Sequence, residues 1–191
     1  MPISINGTGT ITGISAGGLP DACVTAADLA PNLSRFLLSA NQSVLTTVQT
    51  INTAGWVDVS NITVTVTPAS SASRFMIMTD IKATTNTNFT FRLVRTVSSV
   101  DTPIYIGTSP AGAGLQSSGG DVYGGSYSGN NTGNFHFIDS PSTTSNVTYK
   151  VQAQGVSPVS YPLYINATNF DGDASYRYRG ASSIIVLEFA L

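Results

Sequence analysis

The rarest reactive side chains in this sequence are one histidine, one cysteine and one glutamate: His136, Cys23 and Glu188. A Ser-His-Asp hydrolase would have to recruit His136, because imidazole is the base that takes a serine proton near neutral pH. No Gly-X-Ser-X-Gly elbow frames any serine. His136 also stands between Phe135 and Phe137, which in a strand turns it to the opposite face from both rings. A surface or inter-subunit histidine is therefore the favoured reading. Asp171-Gly172-Asp173 could offer oxygens to Ca²⁺, but that ion takes about 6–8 ligands. With no further Asp, Asn or Glu spaced for a binding loop, an Asp-Gly turn is preferred to a metal site at Asp171 and Asp173, and no cofactor is expected. A glycosidase needs a paired acid and nucleophile, whereas the carboxylates here are scattered aspartates at turns and Glu188 lies in an apolar run. Cys23 has no partner for an intramolecular disulfide and reads as a small buried hydrophobe before a reactive thiol. No enzymatic activity is expected.

Binding is the better prospect. The segment Gly119 to Gly133 carries Tyr123, Tyr127, Asn130 and Asn131. Tyrosine offers a flat apolar face and a hydrogen-bonding tip at low entropic cost, and Asn and Ser adapt around it. Such a surface suits a sugar or a protein receptor, although a ligand-free surface loop carries more weight. Trp56, at a strand start, reads as core rather than as a sugar platform. Triplets such as Asn61-Ile62-Thr63, Asn88-Phe89-Thr90, Asn146-Val147-Thr148 and Asn166-Ala167-Thr168 are expected by chance in a chain so rich in Asn, Ser and Thr. A net charge of −2 argues against nucleic acid, which needs a basic stripe. Arg92 and Arg95 fall on opposite faces of one strand, Arg177 and Arg179 share a face near another, and four arginines make no patch. No run approaches the ~18 apolar residues of a membrane-spanning helix. Met1-Pro2-Ile3-Ser4-Ile5 lacks the basic and apolar regions of a signal peptide, so synthesis in a cytoplasm without general secretory export is expected.

The elements that must position these residues are strands. Val147, Tyr149, Val151 and Ala153 alternate with Thr148, Lys150, Gln152 and Gln154, the two-residue period of a half-buried strand. The pattern recurs about ten times at roughly 10-residue spacing, which reads as an all-β antiparallel sandwich or jelly roll of about 8–10 strands. Apolar residues make up 41% of the chain and charged residues only 9%, so Ser, Thr and Asn supply the polar surface. Strands are expected at Val44 to Ile51, Trp56 to Thr67, Arg74 to Ala83, Asn88 to Val97, Pro103 to Thr108, Phe135 to Asp139, Asn146 to Gln154, Tyr161 to Thr168 and Tyr176 to Leu191. In the second, Val57 and Val59 share one face and Ile62, Val64 and Val66 the other, which predicts a β-bulge or corner near Ser60-Asn61. The Gly-rich stretch from Gly107 to Gly133 is expected to hold one weak strand and two long loops. Ile184 to Leu187 is apolar on both faces, as suits a central strand or one facing a subunit axis. Residues 1–43 are read as an extended attachment and trimerisation segment, and 44–191 as the head domain. The arm's apolar anchors are Ile3, Ile5, Ile11 and Ile14, with too little bulk around them for a separate core.

Phe91-Arg92-Leu93-Val94-Arg95, the stretch from Asp139-Ser140-Pro141 through Val147-Thr148-Tyr149-Lys150-Val151-Gln152-Ala153-Gln154, and Arg179-Gly180-Ala181-Ser182-Ser183-Ile184-Ile185-Val186-Leu187-Glu188 together resemble a β-sandwich domain of bacteriophage virion proteins. That family occurs in tail fibres and other particle appendages, especially of marine and cyanobacterial phages. Gly7-Thr8-Gly9-Thr10-Ile11-Thr12-Gly13 through Asp21 resembles leaders of the same class. The likeness covers roughly 45–191 and 1–30 and rests on strand and turn patterns without a catalytic signature. It implies a homotrimeric virion structural protein with a head like those of tumour-necrosis-factor and C1q domains. The other virion proteins would be met through the arm, and a host-surface glycan or protein through the head. A short tail fibre or knob is the first expectation, a capsid decoration or cement protein the alternative, and a polysaccharide hydrolase the remote one.

Overall fold

The computed structural model describes residues 37–108, 114–121, 131–155, 160–168 and 179–190. These form eleven strands and no helix: β1 (Leu37–Leu45), β2 (Gln49–Ile51), β3 (Val57–Val66), β4 (Arg74–Thr84), β5 (Phe89–Val97), β6 (Val100–Ile104), β7 (Gly119–Asp121), β8 (Asn131–Asp139), β9 (Val147–Gly155), β10 (Leu163–Ile165) and β11 (Ser182–Phe189). All pairings between them are antiparallel, in two sheets. The alternation in sequence becomes burial: Phe75, Ile77 and Ile81 of β4, Phe91 and Leu93 of β5, Val147, Tyr149 and Val151 of β9, and Ile184 and Val186 of β11 all point into one core between the sheets.

Register reduces eleven strands to eight lines. β11 and β10 pair successively along one side of β4, at Arg74–Asp80 and then at Ala83–Thr84. Opposite them β1 and β2 run in line as well. β6 and β7 likewise follow one another along β5. One sheet therefore reads β1/β2, β11/β10, β4, β8, and the other β3, β9, β5, β6/β7. Numbered along the chain, the first line pairs with the eighth, the second with the seventh, the third with the sixth and the fourth with the fifth. That nested ribbon, rolled into two layers, is a jelly roll. β11 is central, between β1 and β4, as its apolar stretch required.

The predicted bulge is present. The β3–β9 register shifts between Asp58 and Thr63, and Asn61 has φ 56°. Val59, Ile62, Val64 and Val66 all reach the core as a result. Gln49 of the facing sheet bonds the irregular backbone, accepting from Ser60 N at 2.8 Å and donating to Asp58 O at 3.0 Å.

Several boundaries differ from expectation. The first strand begins at Leu37 rather than Val44, because Ser39, Ala40 and Asn41 extend the β11 ladder although they lack apolar alternation. The strand expected at Pro103 lies at Val100–Ile104, joined to β5 by a two-residue turn at Ser98 and Ser99 with φ 49° and 64°. Positive φ at both turn residues matches the right-handed strand twist, but Ser-Ser lacks the usual Asn-Gly signature. β8 starts at Asn131 rather than Phe135, so Asn131 belongs to a strand. Gly133 was hidden by its residue type. A Cβ there would lie 2.5 Å from Phe91 Cδ2, so only glycine lets this strand close over the Phe91 ring.

The sandwich has two distinct ends. The chain enters it at Leu37, level with Phe189 and the Arg74 end of β4, where the connections 67–73, Ser98–Ser99 and 140–146 also lie. At the other end are the connections 52–56 and 85–88, together with Asp121, Asn131 and Gly155. From Phe75 to Ala83 the two ends are ~27 Å apart at the rise of an extended strand.

Candidate functional site

The outer face of the second sheet carries the densest polar constellation among the described residues, from Asp58 and Arg92 toward the far end to Asp101, which pairs with Thr96 beside the Ser98–Ser99 turn of the entry end. Asp58 on β3, Gln152 and Lys150 on β9, Arg92 on β5 and Asp101 on β6 alternate with core residues and so share the outer face. Arg92 Nε donates to Gln152 Oε1 at 2.8 Å, and Gln152 Nε2 donates to Asp58 Oδ1 at 2.7 Å. Lys150 Nζ bridges Asp58 at 3.1 Å and Asp101 at 2.8 Å. Two cations and two carboxylates close into a neutral strip that shields Val94, fully buried although it too faces outward.

Trp56 completes the strip. It was expected in the core. Instead, with Val57 turned inward, the half-buried indole lies outside the core cluster, and Arg92 Cζ stands 4.3 Å from its ring centroid. A guanidinium over an indole is a cation–π contact of about 0.5–1 kcal/mol at an exposed site. The guanidinium covers one face of the half-buried indole, and the Gln152 amide and Asp58 carboxylate extend the strip with hydrogen-bonding groups.

Electrostatics hold the strip charged. Burial pulls Arg92 below its ordinary value, against the pull of Asp101 and Asp58, and a guanidinium stays ionised in any case. Hydrogen bonds from Lys150 and Thr96 hold the Asp101 carboxyl below its ordinary value. Burial opposes the charge on Lys150, but its bonds to Asp101 and Asp58 prevail and raise it.

Three further polar clusters lie inside the sandwich. Arg95, on the face of β5 opposite Arg92 as expected, donates to both oxygens of Asp139 at 2.8 and 3.0 Å, and Tyr149 Oη donates to Oδ2 at 2.8 Å. This triad ties the two sheets together near the Leu37 end. Burial and the Asp139 charge raise the Tyr149 phenol far above its ordinary value, so it remains a neutral donor. Glu188, level with Asp139 but separated from it by Phe75, is buried and accepts from Ala69 N at 2.7 Å and Ser39 Oγ at 3.3 Å, a backbone and a hydroxyl donor stabilising the lone glutamate.

Asn166 is fully buried at φ 63°. Its Nδ2 donates to Leu45 O at 2.7 Å and Thr47 O at 3.1 Å, while Ser182 Oγ donates to its Oδ1 at 2.6 Å. It thus stitches the breaks between β1 and β2 and between β10 and β11. Its amide is consumed by the fold, which rules out its triplet as a glycan acceptor in the folded protein.

His136 lies exposed on the outer face of the first sheet, opposite Met78 and flanked on its own face by Asn134 and Ile138. Among the described residues no group of three or more His, Cys, Asp or Glu is placed to hold a metal. Tyr123, Tyr127, Asn130, the pair Asp171 and Asp173, Cys23, and the arm residues Ile3, Ile5, Ile11 and Ile14 lie outside the described residues. The strands that bracket 122–130 do end at the same end of the sandwich as Trp56: Asp121 pairs with Phe89, one strand from Gly155. Sequence reading missed the Trp56–Arg92 strip. The available signal was the outward phase of Arg92 together with the inward phase of Val57, which turns Trp56 outward.

No protein-family model matches this chain, and no curated protein is similar to it.

Proposed function

We propose that this chain is a non-enzymatic structural protein of a phage-type virion, a short tail fibre or knob whose far end contacts the host surface. The observation that carries this reading is the opposition of the two ends. The chain enters the sandwich at one end, where an attachment arm of residues 1–36 would join it. Trp56, under Arg92, and the strand ends that bracket the Tyr-containing segment 122–130 lie at the other. An appendage needs that polarity: anchored at one end, presenting at the other. The resemblance of its strand and turn segments to phage appendage domains supports the same reading and implies a homotrimer. The partners are other virion proteins at the arm and a host glycan or protein at the far end.

Competition for adsorption tests it. Soluble protein in excess blocks attachment of the phage to its host, and Trp56→Ala weakens that block at least tenfold while keeping the native circular dichroism spectrum. Unimpeded adsorption, with hundreds of copies per particle, overturns the adhesion reading in favour of a capsid decoration protein.

A further inference from the structure

The two outer faces of the sandwich differ in kind. On the second sheet the outer rows are polar apart from Val94 and its neighbour Pro103, and the charges are closed on one another, as above. On the first sheet, register aligns Ala40, Leu187, Met76 and Ile138 in one row, and Gln42, Ile185, Met78 and His136 in the next. Neither row contains Asp, Glu, Lys or Arg. The apolar surface reaches both edges of the sheet: Ile138 on β8 is 58% exposed and Val44 on β1 is 44% exposed. Both methionines beyond the first residue, Met76 and Met78, lie on this face, and methionine is the side chain that adapts most readily to an opposing surface.

We propose that copies of this chain associate through the outer face of the β1/β2–β11/β10–β4–β8 sheet. The proposal deepens the reading of a self-assembling appendage and rests on it. Three observations select a second copy as the occupant. The central rows are free of fixed charge, so like meets like without Coulomb repulsion, while a charged partner finds nothing to pair with. The anatomy is that of a subunit interface, an apolar patch bordered by Arg74 on one side and on the other by Asp80 and Lys82, which pair with each other. Size is sufficient as well: four strand lines at ~4.8 Å and the eleven residues of β4 at ~3.3 Å give a face of ~700 Å², close to the ~800 Å² each partner contributes to a standard interface. With only one adhesive outer face, assembly stops at a closed ring or pair instead of growing by stacking, and in a ring of three each copy turns this face to the axis.

The test is sedimentation of the full chain at micromolar concentration. Wild type is expected at two or more times the chain mass. Met76→Lys with Ile138→Lys is expected at the monomer mass with an unchanged circular dichroism spectrum, and Thr63→Lys, on the exposed polar face, at the wild-type mass. Leu187→Ala, which only removes methyl groups, weakens association at least tenfold and keeps the test decisive should the double variant misfold. A monomeric wild type overturns self-association, leaving the face to residues 1–36 or to a different protein. An oligomer whose affinity none of these substitutions lowers overturns this face as the interface while leaving self-assembly, and the virion reading, intact.

Discussion

Asn166 shows how much one side chain can carry where two strand lines break at the same level. Replacing it with alanine leaves the Leu45 and Thr47 carbonyls and the Ser182 hydroxyl without their buried partner and forces a Cβ residue to hold φ 63°. The expected cost is about 2–4 kcal/mol. Asn166→Gly relieves the backbone term alone and recovers about 1 kcal/mol of it. Urea denaturation of the three proteins checks both numbers, and equal midpoints would remove Asn166 from this role. Asp101 makes a pH-dependent contribution. Its folded value lies below the ordinary 3.8 because Lys150 and Thr96 bond the ionised form. A depressed carboxylate stabilises the fold above its ordinary value, and that contribution is lost as pH falls through the folded one. The partner Lys150 is raised, so its own contribution lasts to alkaline pH and fades only above 10.5. The unfolding free energy of Asp101→Asn should thus lie slightly below that of wild type at pH 7, by less than about 1 kcal/mol at so exposed a site. The gap should begin to narrow only as pH falls below the ordinary 3.8 and should close as pH passes the lower folded value. A gap that does not narrow at all on acidification below 3.8 would contradict this assignment.

At the scale of elements, strand existence was legible wherever burial follows a two-residue period. β4, β5 and β9 alternate cleanly, and even the β3 bulge could be read, since a phase change in apolar residues has no other economical explanation. What could not be read was strand imposed by neighbours. Ser39-Ala40-Asn41 has no apolar rhythm and is strand because β11 needs a partner on its far side. Asn131 to Asn134 looks like loop, yet Gly133 is the residue that allows β8 to approach Phe91. Gly133→Ala places a methyl 2.5 Å and 2.7 Å from two carbons of that buried ring, and overpacking of this kind costs about 1–3 kcal/mol. Thermal melts should show it as a fall of several degrees; an unchanged melt would mean that β8 moves aside freely. Of the candidate site, the Tyr-containing segment was legible from composition. The Trp56–Arg92 strip was not, because a tryptophan at a strand start favours the core unless the phase of its neighbours is weighed first.

At the scale of the whole molecule, a jelly roll gives a small chain two sheet faces and two ends, and here each differs from its opposite. One outer face is a neutral strip of paired charges roofing its own valine; the other is apolar and open to a copy of itself. At one end the chain enters the sandwich, and at the other stand Trp56 and the brackets of 122–130. On the proposed reading this asymmetric block is part of a virus particle and projects its far end outward from a tail. Immunogold labelling of intact particles with an antibody raised against residues 44–191 decides it. Gold confined to the tail is the expected result. Gold over the capsid would contradict the tail assignment, and particles that bind no gold while the infected-cell lysate does would contradict the virion reading itself.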